Sequence, residues 1–252
     1  NGHYRTSYKA RRRRRKKEQG RHEILGHNAV RDLEPEITTN IGNISLSAYE
    51  DVEVGGDATL TTGGGQINIG AEMGYVRLFD DSTFTTDGVT GEGTITVSAF
   101  KEVDIRTGVS FISDGGEIFI TSLADALFVG NGSSFDSSGT TGGAIVFDAF
   151  AEIEIGDSVS VVSGNDTVSM TSGEWIVAGD GSTVDAGSGD VFLEAANDID
   201  FDQTGSLITA SNLTVIDAEN VDLNTSIDNY TAGNTRGDTV ISEVDGIDLL
   251  DV

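Results

Sequence analysis

The chain has 252 residues, of which 37% are hydrophobic, and this is enough to form a substantial core. It contains no cysteine, which excludes disulfides, thiolate chemistry and cysteine-ligated metal sites. Its formal net charge is −27 at pH 7, and no apolar run approaches the roughly 18 residues of a membrane-spanning helix, so membrane insertion is not expected.

The first 36 residues differ in charge from the rest. They hold eleven of the 15 Lys and Arg residues and five of the 42 Asp and Glu residues, which gives +6. The other residues hold four Lys and Arg against 37 Asp and Glu, which gives −33. The run RRRRRKK is not followed by the apolar stretch of a signal peptide. Residues 1–36 are therefore predicted to be a basic N-terminal arm without a core of its own.

From residue 42 apolar and polar residues alternate, which is the pattern of β-strands. The stretch NISLSAYEDVEV (43–54) recurs as TITVSAFKEVDI (94–105) and as AIVFDAFAEIEI (144–155). The first apolar pair of each unit recurs at intervals of 23, 28, 23, 27, 23, 23 and 22 residues, beginning at Ile44, Ile67, Ile95, Ile118, Ile145, Val168, Val191 and Leu213. A second pair follows eight or nine residues later. A third, looser apolar position comes next, at Leu60, Phe84, Phe111, Phe135, Val161, Val184 and Leu207.

Three short strands in a constant order, repeated every 22–28 residues, are typical of a solenoid. We predict an all-β fold: a right-handed parallel β-helix of about eight coils over residues 37–237, with each apolar position stacked on its equivalent one coil away. An antiparallel β-sandwich also has short alternating strands and is the alternative. The apolar stretch 238–252 breaks the spacing, and we expect it to be a C-terminal cap or an inter-subunit strand.

Over roughly residues 41–232 the repeat has the form GxIxIxAxxDIxIG followed by a later GG. This form resembles the repeats of filamentous-haemagglutinin-like adhesins and other bacterial surface β-solenoid proteins. The stretch RDLEPE (31–36) resembles the Leu-Glu-Pro-Arg motif near the start of large planctomycete surface proteins, with Glu36 where that motif has Arg. These resemblances imply a solenoid fold and an extracellular or cell-surface location.

Residues between the inward pairs should point outward. On the second strands, Glu53, Arg77 and Asp104 of successive coils should form an ionic ladder. Other outward positions carry apolar side chains that could contact neighbouring subunits. These candidates are Phe119, Val146, Phe192, Trp175 and Tyr75.

We predict no catalytic residues. Pectin-cleaving β-helix enzymes place acids beside Arg, Lys or His, whereas the body has no His and four basic residues, so a polysaccharide-active enzyme is only the third alternative. No cofactor is expected apart from calcium, which prefers hard oxygen ligands. The carboxylates that would suit Ca²⁺ on one face are Asp198, Asp200, Asp202 and Asp222.

The basic run suits a polyanion, but a body of charge −33 would repel nucleic acid. The acidic body of a second copy is a better partner, because guanidinium groups pair with carboxylates in bidentate geometry. The residues expected to make this contact are Arg11, Arg12, Arg13, Arg14, Arg15, Lys16, Lys17 and Arg21. We therefore expect a structural subunit of an extracellular or cell-surface filament or sheath. The alternative is a fragment of a surface adhesin that binds glycans or cells.

Overall fold

The alternating sequence forms β-strands whose apolar side chains point to one side. In Ile44–Ala48, for example, Ile44, Leu46 and Ala48 are buried and the two serines between them are half-buried. A computed structural model of the chain describes residues 22–26, 29–33, 36–40, 42–87, 93–139, 142–244, 246 and 248–251. Side chains are described within 36–40, 42–87, 93–139 and 142–244 and at 246. These parts of the chain contain no helix long and apolar enough to cross a membrane.

The strands form the three faces of a β-solenoid, and each regular coil contributes one strand to each face. Face 1 consists of His22–Gly26, Ile44–Ala48, Ile67–Ala71, Ile95–Ala99, Ile118–Ser122, Ile145–Ala149, Val168–Ser172 and Asp190–Ala195. Face 2 consists of Ala29–Leu33, Asp51–Val54, Val76–Leu78, Val103–Ile105, Leu127–Val129, Ile153–Ile155, Ile176–Ala178 and Ile199–Phe201. Face 3 consists of Glu36–Thr39, Thr59–Thr62, Thr83–Thr86, Ser110–Ile112, Ser134–Asp136, Ser160–Val162 and Thr183–Asp185. The four remaining strands close the C-terminal end: Leu207–Ile216, Val221–Gly233, Thr239–Glu243 and Asp248–Asp251.

Each described strand pairs in parallel with the equivalent strand one coil away. The predicted first positions form one inward column, in which Ile44 pairs with Ile67 and the register continues without a shift to Leu213. All eight residues of this column are fully buried. The prediction of a parallel β-solenoid of about eight coils is thus confirmed, and the antiparallel sandwich is excluded for the described residues.

The third-strand positions also stack as predicted, with one exception. Phe84, Phe111 and Phe135 form a column of fully buried rings. In the last member of the column the inward residue is Ile208 and not Leu207: Ile208 pairs with Val184 and is fully buried. The corner before this strand is one residue longer than in the preceding coils, because the stretch between Phe201 and the buried Ser206 holds four residues where the equivalent stretch 179–181 holds three.

The corner between faces 2 and 3 places one residue of each coil in the left-handed region of backbone conformation. Its φ angle lies between 56° and 79° at Asp57, Asp81, Gly108, Gly132, Ser158, Gly181 and Gly205. This region is strained for residues with a Cβ atom and open to glycine. Three coils therefore carry a non-glycine residue where glycine would fit best.

The residue after this left-handed position is buried, and over the first six of these coils it alternates in chemistry; in the seventh coil Ser206 repeats the serine of the sixth, Ser182. In Ala58, Val109 and Val159 it is apolar. In the intervening coils it is a serine whose hydroxyl donates to a backbone carbonyl of the preceding coil, as in the 3.0 Å bond from Ser133 to Arg106 O. This two-coil alternation matches the spacing of about 50 residues between the three sequence copies.

At the N-terminal end the stack begins within the segment predicted to be an arm. His22–Gly26 pairs with Ile44–Ala48, and Ala29–Leu33 pairs with Asp51–Val54. Within the described residues the first paired strand of the solenoid is thus His22–Gly26, which lies before the predicted boundary at residue 37. Strand pairing needs only backbone N–H and C=O groups facing the edge of the next coil, so the segment can join the stack without a core of its own.

At the C-terminal end the coils become shorter. Leu213 pairs with Tyr230 and Val221 pairs with Thr239, so these coils have 17 and 18 residues. They are short because the strand Val221–Gly233 runs through what is a glycine-rich corner in earlier coils. Two strands of the segment 238–252 then pair with Val221–Gly233 and extend the stack.

Candidate functional site

Face 2 carries a network of charged side chains centred on Arg77. Its Nε donates to Asp104 Oδ2 at 2.7 Å, and its other nitrogens lie 3.9 Å from Glu53 and 3.8 Å from Glu102. Its guanidinium carbon lies 4.9 Å from the centre of the Tyr75 ring, and the Tyr75 hydroxyl donates to Glu53 Oε1 at 2.7 Å. The predicted ladder of Glu53, Arg77 and Asp104 is therefore formed across three coils.

Arg106 belongs to the same network, which the sequence pattern did not indicate. Its Nη2 lies 2.7 Å from Asp104 Oδ2, so two guanidinium groups hold one carboxylate. Asp104 is 6% exposed, which makes it the most buried acid among the described side chains. Burial of Glu102 and the nearby charge of Asp104 raise the pKa of the Glu102 carboxyl, and Arg77 only partly opposes this. Asp104 is therefore the central acid of the network, bound by two guanidinium groups, whereas burial disfavours the charged form of Glu102.

A shallow groove of about 510 Å³ runs along face 2 beside this network. It is lined by Arg106, the half-buried ring of Phe128, and the exposed side chains of Asn131 and Glu154. The groove thus combines an apolar surface with donors and acceptors of both charges. Such a surface suits a ligand that carries hydroxyl or carboxyl groups on an apolar ring, such as a sugar.

The five predicted outward apolar residues do not form one surface. Phe119 and Val146 are neighbours on face 1, but both are half-buried. Phe192 and Trp175 are exposed by 38% and 39%, and they lie on face 1 and at the corner before face 2. Tyr75 is half-buried and engaged with Arg77, as described above. These residues therefore remain candidates singly and not as a patch.

A larger apolar surface lies at the corner between faces 1 and 2. Five successive coils each place one exposed apolar side chain there, and we call this row the corner ridge: Tyr49 (52% exposed), Met73 (46%), Phe100 (39%), Leu123 (60%) and Phe150 (68%). Four of these residues occupy equivalent positions, whereas Met73 lies one residue later in its coil, where Glu72 has the equivalent position. Backbone hydrogen bonds such as Glu72 N to Ala48 O (3.0 Å) and Leu123 N to Ala99 O (3.0 Å) hold these corners one above the other. The signal in the sequence was the aromatic residue after alanine in the three copied stretches.

Carboxylates accompany the corner ridge along its length. Two residues after the aromatic residue come Asp51, Glu102 and Glu152 in the three copied coils, and the coil between the last two has Asp125 after Leu123. Glu50 and Glu72 are also exposed at these corners. Lys101 is the only basic side chain within the five described corners. The ridge is therefore both apolar and acidic.

The four predicted calcium ligands are not assembled into a metal site. Asp200 and Asp222 are neighbours on face 2, but Asp198 lies at the corner, where its Oδ1 accepts bonds from the backbone and side-chain amides of Asn220. The pKa of Asp202 is raised by its hydrogen bond to Asp200. Within the described residues no group of three or more acids, histidines or cysteines is close enough to hold a metal ion.

The eight basic residues predicted to contact a neighbouring subunit fall outside the described residues. They lie in residues 11–21, directly before the first strand, His22–Gly26. Comparison of the chain with protein-family models, curated proteins and solved structures finds no match.

Proposed function

We propose that the protein is a structural subunit of an extracellular or cell-surface filament or sheath, assembled through its basic N-terminal segment on the acidic solenoid of a neighbouring copy. The observation that carries this proposal is the separation of charge along the chain. Residues 1–21 hold ten of the 15 Lys and Arg residues and a single acid, Glu18. The solenoid that follows is strongly acidic.

Few ion pairs join the side chains in the part of the solenoid that the structure describes. Between described side chains, the ion pairs all involve Arg77 or Arg106, and they reach only Glu53, Glu102 and Asp104. Two solenoids placed side by side therefore repel each other unless cations lie between them. A basic segment from a second copy supplies those cations and makes the contact ordered.

The ends of the stack also support assembly. Thr239–Glu243 and Asp248–Asp251 pair with the preceding strand, Val221–Gly233, and with no later strand in the described chain. Val240 and Val244, in and beside the first of them, are 49% and 74% exposed. An edge strand of this kind can pair through its backbone with another parallel strand.

The test uses the purified full chain, examined by electron microscopy and sedimentation velocity. We expect filaments or regular lateral assemblies at about 0.1 M salt that dissociate near 1 M, where the Debye length falls to about 3 Å. Replacing Arg11 to Arg15 by glutamine should abolish assembly. Arg236→Gln, which removes a cation from the solenoid, is the control and should leave assembly intact. Assembly that survives the five glutamines would overturn the proposal.

A second candidate function, a surface adhesin that binds glycans, is favoured by the groove beside Arg106. Its test is binding of a set of neutral and acidic oligosaccharides by the full chain, compared with Phe128→Ala and with Phe192→Ala as the exposed control on face 1. Loss of binding in the first variant alone would support the groove. Turnover of a polysaccharide that is lost in Glu102→Gln would support an enzyme instead.

A further inference from the structure

The corner ridge is an exposed apolar surface that extends over five successive coils. Its five side chains lie on successive coils, which are about 4.8 Å apart, so the ridge is roughly 19 Å long. An extended peptide rises about 3.3 Å per residue and covers this length with about six residues. The basic run at residues 11–17 has seven.

We infer that the corner ridge is the docking surface for the segment 11–17 of a second copy, whose arginines stack on the ridge aromatics and pair with the adjacent carboxylates. This inference rests on the proposed function and identifies the surface that receives the segment. Each copied coil offers an exposed ring followed two residues later by an acid, as in Phe100 with Glu102 and Phe150 with Glu152.

The molecule already contains one example of this arrangement. Arg77 lies 4.9 Å from the centre of the Tyr75 ring and pairs with Asp104 at 2.7 Å. A guanidinium group can make both contacts together because it is planar, weakly hydrated and always charged. On the corner ridge the ring and the acid recur. Arg77 of face 2 lies 3.8 Å from Glu102, and within the described corners themselves Lys101 is the only basic side chain.

Charge complementarity favours segment 11–17 of a second copy over other partners for the corner ridge. A second ridge laid against the first would bury its aromatics but would also bring two rows of carboxylates together, which is repulsive. A neutral apolar peptide would bring no positive charge to these carboxylates. A segment with a charge of about one per residue satisfies both the rings and the acids, and residues 11–17 are such a segment.

The experiment places the photo-crosslinking residue benzoylphenylalanine at position 150 of the full chain. Equal amounts of isotopically heavy and light protein are mixed in high salt, returned to about 0.1 M salt, irradiated and analysed by mass spectrometry. We expect cross-links from position 150 of one isotope to residues 9–21 of the other. The same residue at position 192 is the control, since Phe192 is exposed on face 1 away from the ridge. It should give no such cross-links.

A second arm of the experiment uses Phe100→Gln together with Phe150→Gln, compared with Trp175→Gln together with Phe192→Gln. All four parent side chains are exposed, so both variants should fold, which circular dichroism checks. Losing two cation–π contacts should weaken association by about tenfold in the ridge variant only.

The outcomes separate the two proposals. Normal assembly of the ridge variant, or cross-links from position 150 only to another solenoid or within one isotope, overturns the ridge inference. If assembly still requires Arg11 to Arg15 in that case, the proposed function stands. A protein that is monomeric and gives no cross-links between isotopes at any concentration overturns both.

Discussion

The rings of Phe111 and Phe135 lie parallel in adjacent coils, with centroids 4.8 Å apart and an angle of 8° between their planes. Phe84 stacks on the other side of Phe111 at 5.0 Å, and Phe147 meets Phe135 edge-on at 4.8 Å. Four rings thus fill the interior of consecutive coils. Side chains of face 1 and face 3 pack against each other at this point, because Phe147 comes from face 1 and the other three rings come from face 3.

Truncation of the central ring should be severely destabilising. Phe111→Ala removes the contacts with both neighbouring rings and leaves a cavity that the rigid stack cannot close, so we expect a loss of about 3–5 kcal/mol in the free energy of unfolding. Urea denaturation monitored by circular dichroism measures this loss. Phe192→Ala, at an exposed site, is the control and should cost less than about 1 kcal/mol. Equal losses in the two variants would refute this account of the core.

The inward columns could be predicted from the sequence because a solenoid repeats the same requirement in each coil. Ile44 and Val168 occupy equivalent places, so their spacing alone indicates which side chains are buried. The predictions of inward residues fail where the length of the coil changes. One additional corner residue before Ser206 moved the inward position from Leu207 to Ile208, and the 17-residue coil that ends at Tyr230 lacks the glycine-rich corner that marks the others.

The surface was harder to predict. Alternation identified Glu53, Arg77 and Asp104 as outward and adjacent, because strand neighbours follow from register. Arg106 lies just after its strand, in a corner where register no longer fixes side-chain direction, and its contact with Asp104 depends on how the corner bends. The corner ridge was missed for the same reason, although its aromatic residues were visible in the copied stretches.

The left-handed position in the corner between faces 2 and 3 provides a second prediction. Substitutions at two equivalent sites, Ser158 and Gly132, should change the stability of the fold in opposite directions. Ser158 has a φ of +56°, so Ser158→Gly should relieve backbone strain and stabilise the fold by up to about 1 kcal/mol, less the entropy that glycine adds to the unfolded chain. Gly132 has a φ of +67° and open space where a Cβ atom would be placed, so Gly132→Ala should cost about 1 kcal/mol from backbone strain alone. Thermal denaturation should show shifts of about 2–4 °C in opposite directions. Shifts of the same sign would contradict the argument.

Glu102 provides a prediction on pH dependence. Its pKa in the folded protein is raised, chiefly by burial, so the folded state favours the protonated carboxyl. The stabilising contribution is therefore present at low pH and is lost as the pH rises through the raised pKa. Glu102→Gln should be at least as stable as the parent at pH 7, and the difference should vanish below about pH 4. Chemical denaturation across this pH range tests it.

The matched variant for Glu102 is Asp104→Asn. Asp104 is nearly buried between Arg77 and Arg106, so its neutral replacement should destabilise the protein at pH 7 by about 1.5–3 kcal/mol. Glu102 lies at the corner directly before face 2 and Asp104 lies on face 2, yet the two carboxylates should respond in opposite directions. A loss of stability at pH 7 in Glu102→Gln as large as in Asp104→Asn would show that the Arg77 contact outweighs the burial of Glu102.

Tyr230 provides a prediction on the stability of the C-terminal end of the stack. Its side chain is fully buried below Leu213, and its hydroxyl has no hydrogen-bond partner of normal geometry. Burial raises the pKa of the phenol, and Thr239 only partly opposes this. Tyr230→Phe removes a buried polar group without changing the packing, so we expect the free energy of unfolding to rise by about 1 kcal/mol, measured by urea denaturation at pH 7.

The same residue should govern stability in alkali. Because the folded state disfavours the phenolate, the contribution of Tyr230 is lost as the pH rises above about 10, where the tyrosine of the unfolded chain ionises. Tyr230→Phe should reduce this alkaline loss, whereas Tyr49→Phe, at a site that is 52% exposed, should leave the stability at pH 7 unchanged. A decrease in stability of Tyr230→Phe at pH 7 would show that the hydroxyl makes a stabilising bond with Thr239. The short coil would then be held together by that bond and not by packing alone.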